Sequence, residues 1–300
     1  MRTVAIVNPA AGRGSALHIW RRLIKELPKE TKGLETWYTE GPGHAEALAA
    51  QARRLGFERV IVGGGDGTLF ETVNGLWWES EGELPSVGIA PLGTACDYVH
   101  SFETARKPSE RLAAAMLNPT ADVGVGEVAL TGLDGKPLKR VFLNVLGAGY
   151  DANVVARLAR NGKLGKISFL VESLKELVQH KSYRFRGELD SVFFQARSVI
   201  FIAGLGRYFG GGMMIAPDAS PLARSFQVLW SNGVGHLKIL SLLAKVYRGR
   251  HQGDPCVCSR HAGRLSIEAE PPAYVEADGE LLGLTPMEVR LHPAALRFVI

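Results

Sequence analysis

Apolar runs and amphipathic stretches alternate along residues 1–90. Strand signals at 3–7, 34–38, 59–62 and 86–90 alternate with helix signals at 15–27, 44–55 and 69–78. Such alternation is typical of a parallel sheet with helices on its faces. The sequence therefore predicts an N-terminal α/β domain built on a doubly wound parallel sheet.

The pattern changes after residue 123. Short strand-like runs separated by turn residues follow at 124–130, 138–145, 192–203, 226–230, 264–269 and 273–277, and two longer stretches predict helices at 154–179 and 236–247. Many short strands with frequent turns predict an antiparallel β-sandwich or barrel. We expect two domains, 1–123 and 124–284, with the C-terminal segment 285–300 as a candidate addition to the first.

A polar or glycine-rich segment follows each of the four N-terminal strands. These loops lie at 8–14, 39–43, 63–68 and 91–94. The carboxyl ends of parallel strands meet at one edge of a sheet, where open α/β sheets bind ligands. We therefore expect the four loops to converge on a single ligand site.

The third loop carries the most specific chemistry, because four of its first five residues are glycine: it reads Gly63-Gly64-Gly65-Asp66-Gly67-Thr68. Backbone N–H groups in such a loop form an anion-binding hollow, and the following helix adds its positive N-terminal end. Thr68 can donate to a phosphate oxygen. Ionised Asp66 only accepts hydrogen bonds, so it needs a metal ion, a metal-bound water or a loop donor, and we favour the metal. The alternative is a simple turn, but the position between a buried strand and a helix favours phosphate binding.

Composition and charge narrow the class of protein. The chain is 46% hydrophobic and 22% charged, which is ordinary for a globular protein. It has no run of roughly 18 apolar residues and no signal-peptide pattern, so we expect a cytoplasmic protein. Its three cysteines argue against a disulfide framework.

The second half of the chain is basic. The segment 157–186 mixes basic with apolar residues, a pattern that suits an anionic membrane surface. The alternative is a solvated helix face whose basic side chains lie along apolar surface. We expect no nucleic-acid partner, because no nucleic-acid-binding motif accompanies the charge.

Two acidic residues flank a glycine near the C-terminus, in Asp278-Gly279-Glu280. The simplest interpretation is a two-residue hairpin turn. A functional interpretation is that Glu280, with Asp278, takes a proton from a substrate hydroxyl. The two interpretations are compatible.

Three weaker patterns remain. Residues 147–152 match the dinucleotide fingerprint G-x-G-x-x-A, but they lie where the pattern is already antiparallel. Cys256, Cys258 and His261 lack the usual zinc spacing and a fourth ligand. The three glycines at 210–212 fit either a substrate-site wall or a turn.

The combined motifs resemble the diacylglycerol kinase catalytic family, and most closely its bacterial lipid kinases, which are relatives of the sphingosine kinases. The resemblance covers nearly the whole chain in order and spacing. It rests on Asn8-Pro9 with Gly12 and Gly14, on the loop 63–68, on Pro91-Leu92-Gly93-Thr94, on the segment 204–217 and on Asp278-Gly279-Glu280.

The resemblance implies a nucleotide domain, a β-sandwich lipid domain and a cleft between them that binds ATP with Mg²⁺. By position, the residues implied in nucleotide binding are Asn8, Pro9, Gly12, Thr39, Gly64, Gly65, Asp66, Gly67, Thr68 and Thr94. Glu280 with Asp278 would activate the acceptor hydroxyl. Positioning and charge neutralisation are most of what phosphoryl transfer needs.

The chain departs from the family pattern at three places. Cys96 stands where the family usually has Asn, Leu205 where an Asn is expected, and Ala223-Arg224 where an Asp-Gly helps to hold a structural magnesium. We therefore transfer no structural metal site.

Three functions follow from this pattern. The first is an ATP-dependent kinase, peripherally bound at the membrane, that phosphorylates the hydroxyl of a lipid such as diacylglycerol in phospholipid biosynthesis. The second is a kinase for NAD or another soluble substrate, and the third is a nucleotide- or lipid-binding relative with little activity. A homodimer is compatible with each.

Overall fold

The computed structural model describes residues 1–27, 33–102, 108–161, 182–233 and 236–300. The chain divides into two compact units. Unit 1 comprises Met1–Val123 together with Ala294–Ile300, and unit 2 comprises Gly124–Pro293. The C-terminal addition to the first unit thus begins at Ala294, later than residue 285.

Unit 1 is a parallel α/β unit, as the alternation predicts. Its elements are β1 (Thr3–Val7), α1 (Ala16–Leu23), β2 (Glu35–Tyr38), α2 (His44–Arg54), β3 (Arg59–Gly64), α3 (Asp66–Trp78), β4 (Ser86–Pro91) and α4 (Pro108–Leu117). The strands lie in the order β2-β1-β3-β4, all parallel. Near the C-terminus Phe298 continues this sheet, parallel to β4 at Val87.

Burial explains why these strands are so apolar. Every residue of β1 and β3 is buried, because helices cover both faces of the sheet. Helices α1 and α4 contribute Trp20, Leu23 and Leu112 to the core cluster that contains Ile61. On α3, the absence of a Cβ at Gly75 lets the helix approach the backbone of α2 at Glu46.

Unit 2 is an antiparallel β unit with two described helices. Its elements are β5 (Thr120–Gly132), which begins in unit 1, β6 (Pro137–Phe142), β7 (Val145–Gly149), α5 (Tyr150–Asn161), β8 (Tyr183–Leu189), β9 (Val192–Ser198), β10 (Ile200–Gly204), β11 (Tyr208–Phe209), β12 (Met213–Met214), β13 (Phe226–Ser231), α6 (His236–Val246), β14 (Val257–Ala262), β15 (Arg264–Glu270), β16 (Tyr274–Ala277) and β17 (Glu280–Val299), which ends in unit 1. One path runs β14-β13-β10-β7-β16-β17, and β5, β6, β8, β9 and β15 extend the pairing from β17.

Several predicted boundaries differ from the observed ones. The run 192–203 forms two strands, β9 and β10, that meet near Val199. Strand β17 is far longer than the sequence suggests, since its Pro286 and Pro293 are residues that normally argue against a continuous strand. Helix α3 begins at Asp66, three residues before the predicted start at 69. The helix predicted at 154–179 is described only up to Asn161, as α5.

The basic segment 157–186 lies mostly outside the described residues. Its last two arginines are on strand β8, where Arg184 pairs with Glu270 and Arg186 with Glu268. No helix in the described part of the chain is both long and apolar enough to cross a membrane.

Candidate functional site

The loop after β3 turns directly into a helix. Gly65 is the N-cap of α3, and Asp66, Gly67 and Thr68 form its first turn, where helical N–H groups have no intrahelical partner. The carbonyl of Gly64 accepts N–H groups from Leu92 at 2.9 Å and Gly93 at 3.0 Å. These bonds join the loop after β3 to the loop after β4.

Close approach of the backbones requires glycine at this junction. A Cβ on Gly93 would overlap the Cα of Gly65, and a Cβ on Gly64 would lie 2.5 Å from Thr68 Oγ1. Exposed N–H groups at a helix N-terminus, in a hollow without side chains, fit a phosphate group. The residues present therefore suit a nucleotide phosphate.

Asn8 connects the first loop to the third. Its side-chain amide donates to Thr68 Oγ1 at 3.2 Å, and its side-chain oxygen accepts the N–H of Ala10 at 3.0 Å. Gly12 adopts φ +59°, and a Cβ there would lie 2.5 Å from the carbonyl oxygen of Leu92. The predicted convergence of these three loops is thus observed within unit 1.

Asp66 has loop donors as its partners. Its carboxylate accepts the N–H of Asp97 at 3.1 Å and of Tyr98 at 3.3 Å. Burial raises the pKa of Asp66, and these N–H groups oppose that shift. In the described part of the chain no cluster of three His, Cys, Asp or Glu side chains could hold a metal ion. The structure therefore gives Asp66 the loop donors that the sequence analysis kept as an alternative, and not the favoured metal ion. A Mg²⁺ ion bound with a nucleotide would be held largely by the phosphates.

The second loop is held by a backbone hydrogen bond of Thr39 and by Glu71 of α3, a residue that the sequence did not single out. Thr39 is buried and donates its N–H to the Val7 carbonyl at 2.9 Å. On α3, the two carboxylate oxygens of Glu71 accept the N–H of Gly43 at 2.9 Å and of Ala45 at 3.1 Å. No local sequence signal marks Glu71, and only the fold shows that it reaches the backbone at the start of α2.

The fourth loop ends at the exposed Thr94, and the buried Cys96 follows it two residues later. Cys96 has φ +52°, a conformation in which asparagine is several-fold enriched. A backbone conformation that favours asparagine thus carries a thiol here. Burial, and then the nearby charge of Asp66, raise the pKa of the thiol to about 12.

In unit 2, the Asp278-Gly279 pair forms the predicted hairpin turn. Ala277 pairs with Glu280 across it, and both turn residues have positive φ, +51° and +90°. This matches the type I′ hairpin in which Asp-Gly is preferred.

Asp278 and Glu280 have different surroundings. The buried Asp278 carboxylate accepts three backbone N–H groups, from Leu143 and Asn144 at 2.9 Å and from Val145 at 3.0 Å. Glu280 is exposed at the start of β17. Asp278 therefore fixes the turn, and Glu280 is the carboxylate of the pair that a substrate can reach.

Unit 2 also contains an apolar cavity. Its volume is about 90 Å³, smaller than a typical ligand pocket, so it can take only part of a ligand. Ten of its fourteen lining residues are Val, Ile or Leu, including Leu242 and Leu243 of α6. The buried His251 lies on the wall with its Nε2 3.0 Å from the Ile215 carbonyl, and burial lowers its pKa. Such a wall suits a hydrocarbon chain.

The structure also shows where the weaker sequence patterns and the departures from the family lie. Residues 147–152 end β7 and begin α5, but β7 is antiparallel to both neighbours, so no dinucleotide fold surrounds them. Cys258 and His261 lie on β14 and belong to no metal cluster of the described chain. Leu205 is fully buried, and half-buried Ala223, followed by exposed Arg224, stands where the resemblance expects Asp-Gly.

Comparison with known proteins agrees with this architecture. The profile of the diacylglycerol kinase catalytic domain matches residues 2–128, and that of the YegS C-terminal NAD kinase β sandwich-like domain matches residues 144–300.

Relatives match over nearly their full length. YtlR of Bacillus subtilis (strain 168), named as a candidate lipid kinase, is 30% identical over 97% of each chain. A diacylglycerol kinase of the same organism is 24% identical, covering 96% of this chain and 92% of its own. The crystal structure of a candidate diacylglycerol kinase from Bacillus anthracis str. Sterne superposes with a TM-score of 0.80 at 21% identity, covering 99% and 94% of the two chains. The chain therefore belongs to the bacterial lipid kinase family that joins a diacylglycerol kinase catalytic domain to a YegS-type C-terminal domain.

Proposed function

We propose that this protein is an ATP-dependent kinase that phosphorylates the hydroxyl of a membrane lipid, with diacylglycerol as the representative acceptor. The glycine hollow at the start of α3 is the observation that carries the nucleotide half of this proposal. The apolar cavity of unit 2 supports a lipid acceptor, since its wall offers a sugar or nicotinamide few polar partners.

The residues have separate roles in this proposal. N–H groups of the first turn of α3 bind the nucleotide phosphates, and Asn8 orients Thr68 toward them. Mg²⁺, when bound with ATP, neutralises charge on the phosphates. Glu280 accepts the proton of the lipid hydroxyl, and Asp278 holds the turn that carries Glu280.

The site of action is also part of the proposal. We infer peripheral binding at an anionic membrane surface because residues 126–300 carry 22 Lys and Arg against 15 Asp and Glu. Each basic residue close to such a surface contributes about 1 kcal/mol.

A lipid screen is the direct test. The protein is incubated with labelled ATP, Mg²⁺ and vesicles of a bacterial lipid extract, and products are identified by mass. We expect one class of hydroxyl-bearing lipid to gain a phosphate. ATP binding without a labelled lipid would contradict the proposal and favour a binding protein with little activity.

Glu280→Gln tests the proposed base. We expect kcat to fall by at least about a hundredfold while the Kd for ATP stays within about twofold, because the change removes proton transfer only. Glu288→Gln, on the exposed side of the same strand β17, is the matched control. An unchanged rate in Glu280→Gln would remove Glu280 from the mechanism.

A soluble-substrate kinase is the second candidate, favoured by the match of the C-terminal domain to an NAD kinase β sandwich-like domain. That function predicts phosphorylation of NAD and a rate unaffected by vesicles. Assays with NAD in place of lipid, and sedimentation with anionic and neutral vesicles, separate the two candidates.

A further inference from the structure

Beneath the Asp278-Gly279 turn, unit 2 buries two carboxyl groups against each other. Asp151 is the second residue of α5, and Glu276 is on β16 two residues before the turn. Asp151 is 5% exposed and Glu276 0%. Both face Gly147 of β7, where a Cβ would overlap Asp151 Oδ2 and lie 2.8 Å from Glu276 Oε1.

The pair has few other partners. Glu276 Oε1 has no hydrogen-bond partner of good geometry among the described residues, and the Asp151 oxygens have only the nearby N–H groups of Asp151 and Ala152, which oppose the rise in the Asp151 pKa. Glu276 Oε2 accepts the N–H of Gly279 at 2.8 Å. This bond connects the pair to the turn that presents Glu280.

Two ionised carboxylates could not remain in this place. A buried carboxylate with no cation and few donors is costly to ionise, and a second adjacent charge adds repulsion. Burial raises the pKa of both groups, and the charges of Asp151 and then Asp278 raise that of Glu276 further. Titratable groups on the elements that carry or adjoin the pair include Tyr150 beside Asp151 on α5, Glu280 across the hairpin from Ala277, and Tyr183, whose ring is against Gly149 of β7.

We propose that Asp151 and Glu276 share one proton and act together as positioning residues, holding the Gly279 N–H and through it the turn that aims Glu280. The pair has no chemical step of its own. Loss of the shared proton at alkaline pH places two charges together and loosens the turn. This inference rests on the proposed function only for its catalytic readout.

Amide replacements separate this role from simple packing. In Asp151→Asn or Glu276→Gln one N–H permanently replaces the shared proton, so the contact survives at every pH. We expect each variant to keep activity near neutral pH and to extend it to higher pH than the wild type. Glu276→Ala removes the bond to Gly279, and we expect it to lower kcat by about a hundredfold while ATP binding persists.

Stability against pH is the readout that needs no activity. The raised pKa means that the folded pair holds a proton that the unfolded chain has already released, so stability falls as pH rises from the ordinary carboxyl pKa through the raised values. From pH 6 to 9 we expect the wild-type Tm to fall at least about 2 °C more than that of Asp151→Asn or Glu276→Gln. Glu268→Gln, an exposed carboxylate on β15, should follow the wild type.

Hydrogen exchange and infrared spectroscopy complete the test. We expect the peptide containing Gly279 to lose protection at alkaline pH in the wild type but not in the amide variants. If those variants do not fold, the wild type still decides, because it should show a protonated carboxyl band at neutral pH. Identical pH dependence in all variants, or no such band, would overturn the shared proton even if the lipid kinase activity is found. Failure to phosphorylate any lipid would leave both readouts intact.

Discussion

Cys96 occupies a backbone conformation that few side chains adopt. Its φ of +52° suits asparagine, and its Sγ donates to the Gly64 carbonyl at 3.7 Å. The side chain is buried, and the charge of Asp66 nearby disfavours the thiolate. We therefore regard Cys96 as part of the packing between the third and fourth loops rather than as a reactive group.

This assignment predicts the order of thiol modification. At pH 8.5 we expect Cys96 to react with iodoacetamide at least about a hundredfold more slowly than Cys258, because almost none of it is ionised below its pKa of about 12. Peptide mass spectrometry gives the rates, and the denatured protein is the control in which all cysteines react. The raised thiol pKa also means that folded Cys96 keeps a proton that the unfolded chain releases. The free energy of unfolding therefore falls as pH rises from the ordinary thiol pKa toward 12. Fast modification of native Cys96 would contradict its burial.

At the scale of elements, α3 organises the candidate nucleotide site. Its first turn provides the N–H groups, and one turn later Glu71 binds the backbone at the start of α2. A carboxylate at a helix N-terminus also interacts favourably with the helix dipole. One helix thus fixes two of the four loops.

Replacing Glu71 tests this link. In Glu71→Gln only one side-chain oxygen remains to accept the two N–H groups, and the negative charge at the start of α2 is lost. We expect the free energy of unfolding to fall by about 1–2 kcal/mol and the Kd for ATP to rise several-fold, because the loop carrying Thr39 loosens. Urea denaturation and calorimetry measure both. Glu35→Gln, at an exposed position of β2, is the control. If the two variants have the same free energy of unfolding and the same Kd for ATP, Glu71 does not anchor the loop.

At the scale of the whole molecule, the two units carry different halves of the proposed reaction. The glycine hollow is in unit 1, whereas the apolar cavity and the residue Glu280 both belong to unit 2. Changes within each unit should therefore affect one substrate more than the other.

Two substitutions test this division. Gly93→Ala places a Cβ against Gly65, so we expect the Kd for ATP to rise at least about tenfold with little change in vesicle binding. Leu243→Trp narrows the cavity, so we expect a higher KM for lipid and an unchanged Kd for ATP. Gly253→Ala, where a Cβ meets open space, is the control. If both substitutions affect both substrates equally, the division of roles is wrong.

Local pattern alone was sufficient for much of unit 1. Strong periodicity predicted its strands and helices, and chemistry predicted the hairpin at Asp278-Gly279, because few residue pairs adopt two successive positive φ angles. The prediction was weaker in unit 2. There Pro286 and Pro293 argued against what is one long strand, and β8 was not predicted, because its first residues were counted with the basic segment 157–186.

The sequence by itself determined the class of fold, the family and the glycine loop, since periodicity and backbone freedom are local properties of the chain. Only the tertiary structure decided which donors Asp66 binds, that Glu71 anchors the second loop, and that Asp151 lies against Glu276. Each of these depends on contacts between segments far apart in sequence, and a carboxyl group has the same local sequence signal whether it is solvated, bonded to a backbone or buried against another acid.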